Sequence, residues 1–133
     1  MPTSPSEPHW LPIEVVVQIN RLLVGLTGEP HLLARPELLE SALARPRNKF
    51  GYGEEDVVSL AVSLLVGIGR NHAFAQGNKR TAFIAAVDFL GVNGFALQVG
   101  DSEDLGRMIE AVLLGELSER YLLERWKSHI VPR

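Results

Sequence analysis

Two long apolar runs, separated by a short polar segment, constrain this chain more than any other feature. Residues 57–69 and 82–90 have helical length, with apolar side chains at helical spacing. The segment between them, residues 71–81, reads NHAFAQGNKRT and has no apolar period of its own. A helix that is apolar on nearly all sides is expected at the centre of a fold. The sequence therefore predicts two buried helices joined by a polar loop.

The polar loop carries the groups that an anion site requires. Gly77 can adopt a positive φ or let a ligand approach the backbone closely. The next helix begins immediately after it, and the free N–H groups of a first helical turn attract an anion. Lys79 and Arg80 lie in that turn, where cations oppose the helix dipole, so they suit a polyphosphate better than they suit the helix. His72 could act as a base on an incoming hydroxyl.

The periodicity of the whole chain predicts an all-α fold, a compact single-domain bundle of about six helices. The predicted helices span residues 12–25, 36–44, 57–69, 78–92, 102–115 and 118–129. Pro46 is expected to stop the second helix, and Asp101 or Ser102 to cap the fifth. The apolar stretch 95–99 is expected to connect two helices, and residues 1–8, MPTSPSEP, to form a disordered tail before a single domain over 9–133.

Composition limits the classes of partner. A net charge of −3 and a pI near 5.8 argue against a general nucleic-acid binder, whose footprint would be basic. The chain has no cysteine, which is compatible with a reducing cytosol, and no apolar run long enough to cross a membrane. We therefore expect a cytoplasmic protein with neither nucleic acid nor membrane as a direct partner. His9, His31 and His129 are isolated and are expected to be ordinary surface or packed residues.

The loop and its flanks resemble the Fic/Doc superfamily. Residues 70–81, RNHAFAQGNKRT, are similar to the superfamily signature H-x-F-x-[D/E/N]-[G/A]-N-x-R. A lysine at position 79, between Asn78 and Arg80, resembles the motif of the death-on-curing (Doc) branch. Fic enzymes that transfer AMP usually have a glycine at this position. The segments LLESALARP and AVDFLGVNGF are also similar to the family, and the resemblance covers roughly residues 12–127.

This resemblance implies an all-helical toxin of a type II toxin–antitoxin pair. It implies transfer of the γ-phosphoryl group of ATP to a hydroxyl of a translation factor, elongation factor Tu, with a cognate antitoxin as the second protein partner. The alternative within the superfamily is Fic-type transfer of AMP to a protein hydroxyl.

The resemblance also implies a role for each matched position. By position, His72 corresponds to the general base and Phe74 to the buried anchor of the loop. Nucleotide or phosphate binding is expected from the remaining matched residues, namely Arg70, Gly77, Asn78, Lys79 and Arg80. Residues 47–53, RNKFGYG, correspond to a stretch near the family's target-docking flap, which makes Lys49 and Tyr52 candidates for substrate docking. The simpler interpretation, which we favour, is that Phe50 and Tyr52 pack this stretch onto the core.

Gln76 departs from the family pattern, which usually has an acidic residue there to bind Mg²⁺. Mg²⁺ prefers oxygen ligands and is usually held by one or two carboxylates plus phosphates, whereas an amide oxygen brings no charge. Since phosphoryl transfer depends on positioning and charge stabilisation, Gln76 predicts weak metal binding and a slow or altered reaction. It also leaves open a third reading, a catalytically silenced relative that acts as a binding module.

Overall fold

A computed structural model of the chain describes residues 7–98 and 103–133. Within these ranges the elements are α1 (Ile13–Thr27), α2 (Pro36–Gly51), α3 (Val57–Asn71), α4 (Asn78–Val92), β1 (Phe95–Leu97), α5 (Glu103–Leu113), α6 (Glu119–Lys127) and β2 (Ile130–Pro132). The all-α prediction is therefore confirmed, with one small sheet added. No helix in these ranges is long and apolar enough to cross a membrane.

Helix α3 is the centre of the fold. Every residue from Val58 to Gly69 is buried, and the helix contacts α2, α4, α5 and α6. Gly67 allows the close approach of α2, because a Cβ atom there would lie 3.2 Å from the Cα of Ala42. Since α4 packs along α3 and α1 packs on α4, the loop between α3 and α4 emerges at one end of a rigid pair of helices.

Helix α2 is longer than predicted. The prediction that it stops before Pro46 is wrong, because the helix continues through that proline to Gly51. A proline inside a helix removes one hydrogen bond and costs about 3 kcal/mol. Pro46 is buried and lines a small cavity together with Trp10, Leu43 and Phe89, so burial of its apolar ring offsets part of this cost.

The C-terminal segment forms a strand that the sequence pattern does not indicate. Strand β2 pairs with β1 in antiparallel register, with Phe95 opposite Pro132 and Leu97 opposite Ile130. The connector at 95–97 is thus extended, as a strand. The predicted caps Asp101 and Ser102, the end of the connector at Val99 and most of the predicted tail lie outside the described residues.

An ion pair joins the start of α3 to the end of α6. The Asp56 carboxylate caps α3 by accepting from the backbone N–H of Val58 at 2.9 Å, and it pairs with Lys127 Nζ at 2.9 Å. Partial burial would raise the pKa of the Asp56 carboxyl, but the hydrogen bonds from Lys127 and from the backbone of Val58 and Ser59 together lower that pKa. The same pair raises the pKa of Lys127.

Candidate functional site

Two residues at the ends of the loop between α3 and α4 have a left-handed backbone conformation. His72 has φ 51° and ψ 48° and is the only non-glycine residue of the described ranges with a positive φ. Gly77 has φ 75°, and α4 begins at the next residue. A residue with a Cβ pays a conformational penalty in this region, so the backbone at His72 is held there by its surroundings. The result is an exposed imidazole at the C-terminal end of the central helix.

Asn78 and Phe74 hold the loop closed. The Asn78 side chain accepts from the backbone N–H of Phe74 at 3.0 Å and donates to its carbonyl at 2.8 Å. Phe74 is buried, which fits its predicted position as the anchor. The loop also bonds to the connector before α2, through Ala75 N–H to Leu32 O at 2.9 Å and Arg35 N–H to Ala73 O at 3.0 Å. The side chain of Asn78 therefore shapes the loop, and its amide is already bonded on both sides.

Asn20 supports the loop from beneath. It is fully buried in α1, and its Nδ2 donates to the carbonyl of Gln76 at 2.8 Å and to Thr81 Oγ1 at 3.0 Å. Its Oδ1 lies 2.9 Å from His31 Nδ1. Two of these three hydrogen bonds thus fix the start of α4, and the third reaches the connector before α2. A Cβ at Gly77 would lie 3.0 Å from Val24 and 3.3 Å from Asn20 Nδ2, so the glycine is needed for close approach to α1 as well as for its φ.

The supporting role of Asn20 is not predicted from the sequence, and neither is its contact with His31. The available signal was the position of Asn20, a polar residue within the apolar stripe that includes Val16 and Ile19. Buried polar groups are hydrogen-bonded in nearly all cases, so an amide in a core stripe indicates a long-range partner. Which partner it bonds could not be read from one sequence.

The predicted site residues meet around one cavity of about 570 Å³. Six of them line it: His72, Gln76, Gly77, Asn78, Lys79 and Arg80. Glu110 and Leu113 of α5 also line it. An imidazole, two cations and the N-terminus of a helix thus face the same space.

The other predicted site residues lie elsewhere. Arg70 Nη2 donates to the carbonyl of Val112 at 2.6 Å, so this guanidinium fastens the end of α5 and does not line the cavity. Lys49 lines a separate small cavity near α6. Phe50 packs edge-on against Trp10, with ring centroids 5.9 Å apart, whereas Tyr52 is 94% exposed. The packing interpretation is therefore correct for Phe50 and wrong for Tyr52.

Each of the two cations in the first turn of α4 has a carboxylate partner. Lys79 Nζ lies 3.2 Å from Glu110 Oε1, and Arg80 Nη2 lies 2.9 Å from Glu29 Oε1. The hydrogen bond from the Thr27 hydroxyl, at 2.5 Å, and the one from Arg80 lower the pKa of the Glu29 carboxyl, although desolvation acts against them. Glu110 lines the cavity that His72, Lys79 and Arg80 share (the anion cavity), whereas Glu29 does not. The carboxylate that pairs with Lys79 therefore lines the cavity, whereas the one that pairs with Arg80 lies outside it.

The side-chain donors around the cavity are too few to bind a metal ion without further ligands from a bound polyphosphate. The described residues contain no group of three or more His, Cys, Asp or Glu side chains placed to hold an ion. The cavity offers two side-chain oxygen donors of the kind that Mg²⁺ accepts, the Gln76 amide and the Glu110 carboxylate. Because Mg²⁺ keeps several waters and commonly binds through substrate phosphates, this set fits an ion that arrives with a polyphosphate.

A second, apolar cavity adjoins the first. It has a volume of about 380 Å³ and lies between α1, α4 and α5, with Leu23, Ile84 and Ile109 among its walls. Lys79 and Arg80 line both cavities. An apolar groove with a cationic rim therefore opens directly beside the anion cavity.

Comparison with known proteins agrees with this geometry. The sequence model of the Fic/DOC family matches residues 10–90, which include the loop and both flanking helices. A protein named Toxin Doc, from Mycolicibacterium smegmatis, is 44% identical over 75 residues, covering 51% of this chain and 57% of that protein. The match thus spans little more than half the length of this relative. A protein named Protein kinase doc, from Escherichia phage P1, is 33% identical over 111 residues, covering 83% of this chain and 86% of that protein.

These matches confirm the resemblance to the Doc branch that the loop sequence indicated. The family match covers more than half of the chain, and the second relative aligns over most of both chains. The aligned range contains the cavity-lining loop and the asparagine that supports it. On these grounds the chain belongs to the Fic/DOC family.

Proposed function

We propose that this protein is a Doc-type toxin that transfers the γ-phosphoryl group of ATP to a hydroxyl of a translation factor, elongation factor Tu. The observation that carries the proposal is the shared cavity, in which His72 faces Lys79, Arg80 and the N-terminus of α4. The name of the phage relative, Protein kinase doc, supports the same reaction class. The target and the nucleotide come from the family resemblance and are part of the proposal. A translation factor as target also makes the cytoplasm the expected location.

The proposed reaction is a direct displacement. The target hydroxyl oxygen forms a bond to the γ-phosphorus, the bond from that phosphorus to the β–γ bridging oxygen breaks, and ADP leaves. His72 accepts the hydroxyl proton as a general base. Lys79, Arg80 and the N–H groups of the first turn of α4 hold the phosphate oxygens and stabilise their charge.

Mg²⁺ enters this proposal together with ATP. Its main oxygen ligands would be the phosphates and water, as is usual for this ion. From the loop itself it gains only the amide oxygen of Gln76, which carries no charge. We therefore expect slower transfer than an acidic residue at this position would give.

Isotopic labelling of the two ends of ATP tests the proposal. The protein is incubated with elongation factor Tu, Mg²⁺ and ATP labelled either at the γ- or at the α-phosphate. The proposal predicts label in the target from γ-labelled ATP only, and none with the His72→Gly variant. Label from α-labelled ATP would instead establish AMP transfer, which Lys79 in place of the usual Fic glycine makes the second choice.

Gln76 favours one further candidate, a silenced relative that binds nucleotide or antitoxin without transferring a group. This candidate predicts that a nucleotide binds to the cavity but that neither label reaches the target. It also predicts no growth arrest when the chain is expressed alone. The same labelling experiment therefore distinguishes γ-phosphoryl transfer, AMP transfer and binding without transfer.

We also propose a cognate antitoxin as a partner, docked in the apolar groove between α1, α4 and α5. An amphipathic helix is the segment that such a groove accepts, and the cationic rim of Lys79 and Arg80 favours one with acidic residues beside its apolar face. Because both cations also line the anion cavity, an occupant of the groove would compete with phosphate for them. Ile84→Glu should abolish co-purification with a co-expressed antitoxin, whereas Val92→Glu, an exposed position on the same helix, should not.

Target docking at Tyr52 and Lys49 remains part of the proposal. Tyr52 follows the end of α2 and is almost fully exposed, so it is free to contact another protein. Tyr52→Ala should then raise the KM for the target without changing nucleotide affinity. Equal loss of both would argue for a structural role instead.

A further inference from the structure

We infer that Glu110 makes the anion cavity select a metal-bound polyphosphate over a metal-free one. This inference rests on the proposed nucleotide site and concerns which form of the nucleotide the site accepts. Among the described residues that line the cavity, Glu110 alone carries a carboxylate. It belongs to α5, outside the loop that carries the other polar groups.

The carboxylate of Glu110 has a partner in the free protein. Its Oε1 lies 3.2 Å from Lys79 Nζ, and its side chain is 54% exposed. When phosphate oxygens approach, Lys79 is drawn toward them, because the ligand carries more charge than one carboxylate. Glu110 then shares the cavity with a polyanion and no longer has Lys79 as its partner. A like charge close to a site disfavours the charged ligand.

A divalent cation on the polyphosphate removes this conflict. It lowers the charge of the ligand and places a positive centre where a carboxylate oxygen can approach it, directly or through water. Gln76, a loop residue that lines the cavity, can supply a neutral oxygen but no charge. Glu110 is therefore the residue through which the protein senses whether the metal is present.

Glu29 provides a matched control for charge alone. Its Oε1 also pairs with a cation of the first turn of α4, Arg80 Nη2, at 2.9 Å. Glu29 lines neither the anion cavity nor the apolar groove. The hydroxyl of Thr27 and the guanidinium of Arg80 hold its carboxylate outside the cavity. Removing the charge of Glu29 should thus leave the preference for metal unchanged.

Calorimetric binding of the non-hydrolysable ATP analogue AMP-PNP, with Mg²⁺ or with EDTA, tests the inference. For the unmodified protein, Mg²⁺ should tighten binding. Glu110→Gln should bind the metal-free analogue about two- to fivefold more tightly, the range expected for an exposed charge pair, and should lose most of the gain from Mg²⁺. Glu29→Gln should keep that gain. Thermal melting of each variant checks that it is folded.

The outcomes separate this inference from the proposed function. If Glu110→Gln keeps the full gain from Mg²⁺, or if Glu29→Gln loses it equally, the role of Glu110 is refuted while the nucleotide site stands. If the unmodified protein binds AMP-PNP equally well with and without Mg²⁺, this inference also fails. If it does not bind the analogue under either condition, the proposed function fails as well.

Discussion

The side-chain amide of Asn20 donates to the carbonyl oxygen of Gln76 over 2.8 Å, joining the buried face of α1 to the functional loop 56 residues away in sequence. The same Nδ2 bonds Thr81 Oγ1, so one amide fixes the last turn of the loop and the first turn of α4. The position of the anion cavity thus depends on a residue that does not line it.

Replacing Asn20 by leucine should therefore damage both stability and function. The substitution leaves the Gln76 carbonyl, Thr81 hydroxyl and His31 ring without their partner, and an unsatisfied buried polar group costs about 1–3 kcal/mol. Urea denaturation should show this loss, and nucleotide affinity should fall as the loop moves. Gln18→Leu, at an exposed position of the same helix, should change stability by no more than about 0.5 kcal/mol. Equal effects of the two substitutions would contradict the supporting role of Asn20.

His72 offers a test that separates chemistry from backbone conformation. Both His72→Gly and His72→Ala should abolish group transfer, because each removes the imidazole. The alanine variant should be the less stable of the two by about 1 kcal/mol, since glycine adopts the positive φ at this position without strain. Activity assays and thermal unfolding of both variants give the two readouts. Transfer that persists in a folded variant would rule out the assignment of His72 as the base.

Gln76→Asp should increase transfer that depends on Mg²⁺. A carboxylate adds negative charge next to the proposed metal, and we expect a gain of at least about tenfold, equivalent to ~1.4 kcal/mol of barrier. Gln76→Ala is the control for simple loss of the amide and should show no gain. The rates of the three proteins are compared over a range of Mg²⁺ concentrations. An aspartate variant no faster than the parent would mean that position 76 does not approach the metal.

The ion pair between Asp56 and Lys127 predicts how stability depends on pH. Since folding lowers the pKa of Asp56, its stabilising contribution is present above the unfolded pKa of about 3.9 and is lost as the pH falls through the folded pKa. Asn is also a good N-cap, so Asp56→Asn removes the charge and keeps the cap. This variant should be less stable than the parent at pH 7, with the difference closing toward pH 2. A difference independent of pH would show that the charge contributes nothing.

The sequence predicts the positions of the helices where local signals are strong. The apolar runs identify α3 and α4, and the end of α4 at Val92 follows from the pair Asn93 and Gly94. Pro46 is misleading because burial of its ring in the core overrides its intrinsic preference to end a helix. Strand β2 is only three residues long, and its pairing partner lies 35 residues earlier in the chain, so no local pattern marks it.

The site is predictable only where its residues are consecutive in sequence. The loop residues His72, Lys79 and Arg80 could be named because their spacing and chemistry occur in one short segment. Asn20 and Glu110 could not be named, since they reach the loop through the packing of α1 and α5, and one sequence gives no pairing information between distant segments. Arg70 is next to the loop in sequence, but its side chain bonds to the carbonyl of Val112 in α5 and not to the site. Closeness in sequence therefore does not by itself place a residue in the site.

The most direct test of the central claim is a titration of the isotopically labelled protein with the Mg²⁺ complex of AMP-PNP, followed by the backbone amide resonances. If this cavity holds the nucleotide, the largest shifts should fall on His72 and on residues 77–80, whose N–H groups lie at the start of α4 beside the cavity. The strands β1 and β2 should be unaffected. Shifts confined to the region of those strands, or no shifts at all at ligand concentrations in the millimolar range, would contradict the assignment of this cavity as the nucleotide site.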